Sequence, residues 1–285
     1  MMKKSRIHKN WSEFYSEFIN RNIGLVSVEE QEIIRTSKVA VLGMGGLGGP
    51  LSEQLVRVGC EHLSICDNGV FEVSNLNRQI CFQKDIGKKK IDVSESRLKQ
   101  INPDVEIIKA LEFNSNTVQS LLKGIKLAVL TLDDPIVSIY IARECLKREI
   151  PLLEAWGIPF LWAWWFTTEN PDYETCYGFT TKGLTLEEIT NSPEITFSIR
   201  VKILDKLKQF PEVQDRYNRE EGTIKGLASG KLPFVSIAPV VRLTASYLAY
   251  ETIYAGIIKA KKMSLAPTVL AYDYFKMKSL QLKGI

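Results

Sequence analysis

The chain has 285 residues, of which 45% are hydrophobic and 25% charged, and its net charge at pH 7 is +4. This composition is typical of a globular protein with one large domain or two small ones. The mild positive charge suits an anionic ligand, but no arginine-rich or aromatic-basic tract indicates nucleic-acid binding. No apolar run reaches the ~18 residues that a membrane span requires.

The cysteines do not form a recognisable framework, because no two of them are separated by just two residues. The N-terminus carries two lysines but no apolar stretch after them, so we expect no signal peptide. We therefore expect a cytoplasmic protein without membrane contacts or disulfides. The five cysteines are Cys60, Cys66, Cys81, Cys145 and Cys176.

The first 36 residues read as a polar helical arm. Trp11, Phe14, Tyr15 and Phe18 recur three or four residues apart, which predicts one aromatic face packed on this chain or on a partner subunit. Arg21 precedes the next helix and by itself reads as a surface residue.

A strand, a glycine cluster and a helix follow in residues 37–50. The β-branched strand stops at Gly43, and an amphipathic helix begins after the glycines, with apolar side chains from Leu51 onward. Backbone N–H groups at such a turn bind phosphate, assisted by the helix dipole. A glycine loop of this kind alone permits NAD, FAD or ATP.

The strand predicted at His62–Cys66 ends in Asp67, roughly 20 residues after the glycines. An acidic residue at this position binds the nucleotide ribose in doubly wound folds, although a turn aspartate is the simpler alternative. Two polar, basic segments follow, and their Arg78 and Lys90 can clamp a triphosphate. A dinucleotide-dependent dehydrogenase has no need for such segments.

The apolar strand predicted at Ile125–Leu132 ends in two aspartates. Asp133 is placed to hold Mg²⁺ against phosphate oxygens, whereas Asp134 better fits the N-cap of a helix over 136–147. The alternation of strands and helices predicts an α/β, Rossmann-like, doubly wound and mostly parallel sheet with helices on both faces.

The second half is less regular. Four of the five tryptophans, at 156, 162, 164 and 165, lie within residues 155–168, and they indicate either a ligand pocket or a core or interface. Trp162 and Trp164 are expected on one face of a strand and Trp165 on the other. We further expect a helix at about 195–210, a mobile tail at 219–231, a long helix over 235–259 and a strand or hairpin over 268–282. The predicted division is an arm (1–36), an ATP-binding core (37–166) and a substrate and dimerisation region (167–285) that continues the same domain.

With these segments in order, the chain resembles the ThiF/MoeB/HesA family of ubiquitin-activating-enzyme-like adenylyltransferases. The resemblance covers about residues 20–165 and, more weakly, 230–282. The motifs that carry it are Arg21-Asn-Ile-Gly-Leu25, Glu30-Gln31, Gly43-Met-Gly-Gly-Leu-Gly48, Asp67, Ser74-Asn-Leu-Asn-Arg-Gln79, Asp85-Ile-Gly-Lys-Lys-Lys90, Ile101-Asn-Pro103, Asp133 and Leu270-Ala-Tyr-Asp273.

The resemblance implies adenylation of a substrate carboxylate by ATP, with release of pyrophosphate. It implies that Asp133 holds Mg²⁺, and that Arg21 reaches into the site of the other subunit of a homodimer. The implied catalytic residues are Arg21, Arg78, Lys90 and Asp133. The implied nucleotide-binding residues are Gly43, Gly45, Gly46, Asp67, Asn75, Arg78, Gln79, Lys90 and Leu132.

The sequence departs from many relatives in three ways. The cysteine pairs that bind structural zinc are absent, and only Cys176 remains of the first pair, so we expect no zinc. The segment Lys231–Val235, before the long helix, lacks the thioester cysteine. A second acidic position after Asp67 is replaced by Gly69.

These departures favour adenylation without an own thioester step, slightly more on a small-molecule or peptide acid than on the Gly-Gly tail of a ubiquitin-like or sulfur-carrier protein. An inactive nucleotide-binding or partner-binding module is the alternative of another class. Cys176 as a displaced nucleophile and an NAD- or FAD-dependent oxidoreductase are the weaker alternatives.

Overall fold

The computed structural model describes residues 8–157, 160–207, 219–273 and 276–282. Its centre is an eight-stranded sheet with the strand order β3-β2-β1-β4-β5-β6-β7-β8. The strands are β1 (Lys38–Leu42), β2 (His62–Cys66), β3 (Glu106–Ala110), β4 (Leu127–Leu130), β5 (Leu152–Gly157), β6 (Phe160–Phe166), β7 (Val269–Asp273) and β8 (Lys278–Leu282).

Helices follow most strands, as the alternating pattern predicts. The N-terminal ones are α1 (Glu13–Phe18), α2 (Val28–Thr36), α3 (Gly48–Arg57), α4 (Lys90–Ile101), α5 (Val118–Leu122) and α6 (Pro135–Lys147). The later ones are α7 (Tyr173–Tyr177), α8 (Leu186–Thr190), α9 (Pro193–Leu207), α10 (Thr223–Ala228) and α11 (Ala238–Tyr250), and α11 continues as a π-helical segment, Glu251–Ile257.

The first five strands pair in parallel, and β6, β7 and β8 join them antiparallel. The prediction of a mostly parallel α/β sheet is therefore confirmed, as is the terminal hairpin, β7–β8. Because β1, β2 and β4 are parallel neighbours, their carboxyl ends meet at one edge of the sheet. Loops from all three strands are thereby brought to one place, where doubly wound folds bind their ligands.

The tryptophans of β6 belong to the core. Trp162 and Trp164 pack edge to face, with ring centroids 5.3 Å apart, among the apolar residues on one side of the sheet. Trp165 is buried on the other side. The alternation of faces is confirmed, and the ligand-pocket alternative is wrong for these three side chains, since each is at most 2% exposed.

The N-terminal arm packs on its own chain. The Tyr15 hydroxyl donates a hydrogen bond of 2.8 Å to the carbonyl of Gly59, just after α3. Trp11 and Tyr15 are buried, whereas Phe14 is 44% exposed and stacks on Phe18. Phe18 is half-buried and packs against the cluster of Trp11 and Tyr15, so three of the four predicted rings share one face packed on this chain, and Phe14 departs from it.

Three further expectations differ from the structure in detail. A helical arm is expected from residue 1, but residues 1–7 lie outside the described part of the chain. A helix is expected at 195–210, and its residues 208–210 also lie outside the described part. The segment 219–231 contains the helix α10 rather than only a tail. The long helix expected over 235–259 begins only at Ala238 and changes to π-helical geometry at Glu251.

We expect Glu32→Gln to lower the free energy of unfolding by about 2 kcal/mol at pH 7. The Glu32 carboxylate accepts hydrogen bonds from Arg35 and from the Trp11 indole, and those from Arg35 contribute most to lowering its pKa to about 2. This stabilisation is present above the unfolded-state pKa, near 4.5, and is lost as pH falls toward 2.

Urea unfolding at pH 7 and pH 3 measures this contribution, and we expect the difference from wild type to fall by more than half at pH 3. Glu17→Gln, at an exposed position of α1, is the matched control. Equal losses in both variants at both pH values would contradict the assignment.

Candidate active site

The glycine loop between β1 and α3 is fixed by close backbone packing. Gly43 has φ of +110°, and a Cβ there would lie 2.6 Å from the carbonyl oxygen of Thr131. A Cβ on Gly48 would overlap the carbonyl oxygen of Gly43 itself. The Thr131 hydroxyl lies 2.7 Å from that same oxygen and donates to it. Glycine is required at both positions because there is no room for a side chain.

Asp67, at the end of β2, holds the other side of this loop. Its carboxylate accepts hydrogen bonds of 2.7 Å from the backbone N–H groups of Met44 and Gly69. The side chain is buried but still lines the pocket that opens above the loop. Asp67 therefore anchors the glycine loop and also presents acceptor oxygens to the pocket, which is compatible with the predicted ribose contact.

Arg78 and Gln79 reach the pocket from the turn that follows β2. The Arg78 guanidinium donates to the Ser74 carbonyl and the Asn77 side chain. Gln79 Oε1 is buried and has no hydrogen-bond partner among the described residues. Asn75, predicted to bind nucleotide, accepts the backbone N–H of Glu72 instead and is not a lining residue.

Lys90 opens α4 and lines the same pocket. Its ammonium lies beside Gly69, where a Cβ would be 3.2 Å from Nζ. An acidic side chain at position 69 would pair with Lys90, so the glycine leaves this charge available. Neither Arg78 nor Lys90 forms an ion pair with any carboxylate that the structure describes. Two positive charges therefore line the pocket together with Asp67 and Asp133, and neither charge is taken up in a direct ion pair within the described residues.

The two aspartates after β4 have different surroundings. Asp134 caps α6, because its carboxylate accepts the N–H groups of Ile136 at 2.9 Å and Val137 at 3.1 Å. The N-cap prediction is confirmed. Asp133 is exposed and lines the pocket together with Leu132. Its carboxylate is free of the capping role and can face a bound cation.

The pocket has a cavity volume of about 160 Å³ and brings together most of the predicted residues. Gly43 lies just outside it as part of the turn, and Arg21 is exposed on the N-terminal arm and does not line it. The predicted residues that line the pocket are Gly45, Gly46, Asp67, Arg78, Gln79, Lys90, Leu132 and Asp133.

One wall of the pocket contains Trp156, which belongs to the tryptophan cluster noted in the sequence, and three residues that the sequence did not reveal, Glu154, Phe234 and Val241. Glu154, near the end of β5, is 3% exposed and accepts hydrogen bonds from Trp164, Tyr173 and Tyr177, each within 2.8 Å. Burial raises the pKa of Glu154, and these hydrogen bonds oppose the rise. The only available signal was one carboxylate inside an otherwise apolar strand. Trp156, Phe234 and Val241 complete this wall.

The Cys176 thiol is poorly suited to nucleophilic catalysis. Burial is the main cause that raises its pKa to about 11, so the reactive thiolate is scarce near pH 7. It does not line the pocket of Gly45 and Asp133. No group of three or more His, Cys, Asp or Glu side chains in the described ranges is arranged to hold a metal ion.

The cavity at the glycine loop is open to its surroundings, and its lining suits the phosphate end of a nucleotide rather than enclosing a whole one. Gly45 and Gly46 leave open the volume that side chains would fill, and Arg78, Lys90 and Gln79, whose Nε2 is the side-chain atom nearest to a Cβ on Gly45, line it. Within the described residues, no helix is long and apolar enough to cross a membrane.

A doubly wound sheet with a glycine loop and a nucleotide site at its carboxyl edge defines an α/β nucleotide-binding protein. The profile of the ThiF family matches residues 19–284. Since this is most of the chain, the protein belongs to the ThiF family.

Two bacterial relatives are similar in sequence to part of the chain. The tRNA threonylcarbamoyladenosine dehydratase of Bacillus subtilis is 32% identical over 141 residues, which is 48% of this chain and 56% of the relative. The sulfur carrier protein ThiS adenylyltransferase of Escherichia coli is 32% identical over 139 residues, which is 47% of this chain and 55% of the relative. The match thus spans about half the length of these relatives.

Solved structures agree with the whole fold. PaaA has a TM-score of 0.68 at 18% identity, covering 99% of this chain and 77% of that chain. The Escherichia coli enzyme MccB, solved with ATP, has a TM-score of 0.66 at 19% identity, covering 99% of this chain and 74% of that chain. At these identities the likeness establishes the fold alone.

Proposed function

We propose that this protein is an ATP-dependent adenylyltransferase. A substrate carboxylate oxygen attacks the α-phosphorus of ATP, an acyl-adenylate forms, and the bond to pyrophosphate breaks. The observation that carries the proposal is the convergence of the glycine loop, Arg78, Lys90 and Asp133 on one pocket, where neither cation forms an ion pair with a described carboxylate. This reaction depends on positioning and charge neutralisation rather than on a general base.

Each pocket residue has a role in this proposal. Asp67 binds the ribose, Gly43, Gly45 and Gly46 shape the loop around the phosphates, and Leu132 lies beside the nucleotide. Arg78, Lys90 and Gln79 contact phosphate oxygens. Asn75 supports the turn that carries these residues. Asp133 holds Mg²⁺, which when bound adds positive charge at the phosphate oxygens.

ATP–pyrophosphate exchange tests the function. Exchange that requires an added acid, with AMP as product, is the expected result. ATP binding without AMP formation from any acid would instead support an inactive nucleotide-binding module. Binding of NAD rather than ATP would overturn the proposal in favour of an oxidoreductase.

The substrate that we favour is a peptide or small-molecule acid, adenylated without a thioester step on this chain. Residues 231–235, before α11, contain no cysteine. Cys176, the remaining candidate nucleophile, is buried and does not line the pocket. Among the structural neighbours, the microcin C7 biosynthetic enzyme MccB was solved with N-formylated MccA. The alternative is the Gly-Gly tail of a sulfur-carrier protein, given the similarity to the ThiS adenylyltransferase.

Five free, buried cysteines suit a reducing, cytoplasmic location.

Asp133 and Asp134 provide a matched pair of variants. We expect Asp133→Ala to reduce exchange by roughly a hundredfold with little change in stability, because it removes a group placed at the phosphates. Asp134→Ala should cost about 1 kcal/mol of stability through loss of the helix cap and leave exchange within about threefold. Exchange rates and thermal unfolding distinguish the two. The reverse pattern would overturn the assignment of Asp133.

A homodimer with shared sites is part of the proposal, since Arg21 is exposed and does not line the pocket of its own subunit. We expect mixed Arg21→Ala and Asp133→Ala subunits to recover up to about a quarter of wild-type exchange, because random mixing forms one intact site in half of the dimers. Exchange measured before and after co-refolding checks this. No recovery in a confirmed mixed dimer would exclude action of Arg21 in trans.

A further inference from the structure

One wall of the pocket that Arg78 and Lys90 line is aromatic. Trp156, at the end of β5, and Phe234, in the segment before α11, pack edge to face with ring centroids 5.5 Å apart. Both line the pocket, and Phe234 is 37% exposed. Such a pair offers an angled aromatic surface, with one ring face and one ring edge, to whatever binds next to the phosphates.

The segment that carries Phe234 is tied to the rest of the site. The Asn77 side chain, next to Arg78, donates a hydrogen bond of 3.0 Å to the carbonyl of Ser236. The Ser236 hydroxyl donates at 3.3 Å to the carbonyl of Gly157, which follows Trp156. The aromatic wall is therefore held in place by bonds to both the phosphate-binding turn and β5.

A hydrogen-bond relay fixes the orientation of the Trp156 indole. Its Nε1–H donates to the Tyr177 hydroxyl at 2.9 Å, and that hydroxyl donates to Glu154 Oε2 at 2.7 Å. An indole N–H can only donate, and a phenol has one proton. The relay therefore has one direction, and the Glu154 carboxylate is its terminal acceptor.

The accepting groups of this hydrogen-bond relay are buried, and the terminal one is held by further hydrogen bonds. Tyr177 and Glu154 are 1% and 3% exposed, and Glu154 is also held by Trp164 and Tyr173. Burial and the neighbouring Glu154 charge raise the pKa of the Tyr177 phenol, so it remains a donor at neutral pH. A carboxylate so deeply buried is costly unless all of these donors are present.

We infer that the Trp156–Phe234 wall is a specificity subsite for a planar apolar group, such as an aromatic ring, carried by the acid beside its carboxylate. Glu154 and Tyr177 are positioning residues that hold Trp156 for this contact. This inference rests on the proposed adenylation. A Gly-Gly tail has no side chain to bury there, whereas an aromatic ring against the wall gains about 1 kcal/mol beyond its buried area.

Binding of two small acids tests the subsite without requiring turnover. N-acetylphenylalanine and N-acetylglycylglycine are titrated against the protein saturated with a non-hydrolysable ATP analogue, by ligand-observed NMR. We expect the aromatic acid to bind at least fivefold more tightly. Equal affinities, preference for the glycine acid, or no binding of either acid would overturn the inference. Failure of the ATP analogue itself to bind would instead overturn the proposed function.

Tyr177→Phe and Tyr173→Phe test the relay as a matched pair. Each removes one hydroxyl from Glu154 and keeps the ring, but only Tyr177 contacts Trp156. We expect Tyr177→Phe to reduce the preference for the aromatic acid severalfold while affinity for the ATP analogue is unchanged, and Tyr173→Phe to retain the preference. Equal effects in both variants, or none in Tyr177→Phe, would overturn the relay. If Tyr177→Phe does not fold, Trp156→Phe is the second variant, because it removes the indole N–H that donates to the Tyr177 hydroxyl.

Discussion

Replacing Lys90 with alanine is expected to lower ATP–pyrophosphate exchange by at least about a hundredfold. Lys90 begins α4, lines the pocket beside Asp67, and forms no ion pair with a described carboxylate. Its charge is thus available to the phosphates, where charge increases on the leaving pyrophosphate. Loss of one such group in a preorganised site typically costs two to three orders of magnitude in rate.

Lys89 is the control for this variant. It is the neighbouring lysine but is exposed and lines an outer groove with Arg57 and Phe82 rather than the candidate active site. Lys89→Ala should therefore leave exchange within about twofold of wild type. Comparable losses in both variants would indicate a general electrostatic effect and contradict a specific role of Lys90.

Gly48→Ala is expected to abolish nucleotide binding and to destabilise the protein by about 3 kcal/mol. The new Cβ would overlap the carbonyl oxygen of Gly43 and lie 2.7 Å from the Thr131 hydroxyl. Backbone on both sides must move, which is the costly form of overpacking. Because that movement deforms the glycine loop, the N–H groups that face the phosphates lose their arrangement.

Gly45→Ala separates this steric effect from simple loss of a glycine. The nearest atom to its new Cβ, within 4 Å, would be Gln79 Nε2 at 3.9 Å, so the fold has room for it. We expect stability within about 0.5 kcal/mol of wild type but weaker ATP binding, since the methyl group enters the pocket. Urea unfolding and ATP titration measure both quantities. A stable, ATP-binding Gly48→Ala protein would refute the packing argument.

Local signals in the sequence determined much of the fold and part of the site. The β-branched strand before Gly43 and the helical periodicity from Leu51 set β1, the loop and α3. Asp134 was identifiable as a cap because its capping bonds run to residues two and three positions ahead. Such features depend on neighbours in the chain, so a single sequence carries them.

The tertiary structure alone decided what the sequence left open. Whether the tryptophans of β6 line a ligand site or a core depended on the position of that strand inside the sheet, between β5 and β7, where apolar clusters cover both faces. Similarly, Trp156 and Phe234 meet although 78 positions separate them in the chain (234 − 156). The sequence determined the glycine loop because that turn is local, whereas the wall of Trp156 and Phe234 exists only where distant segments pack together.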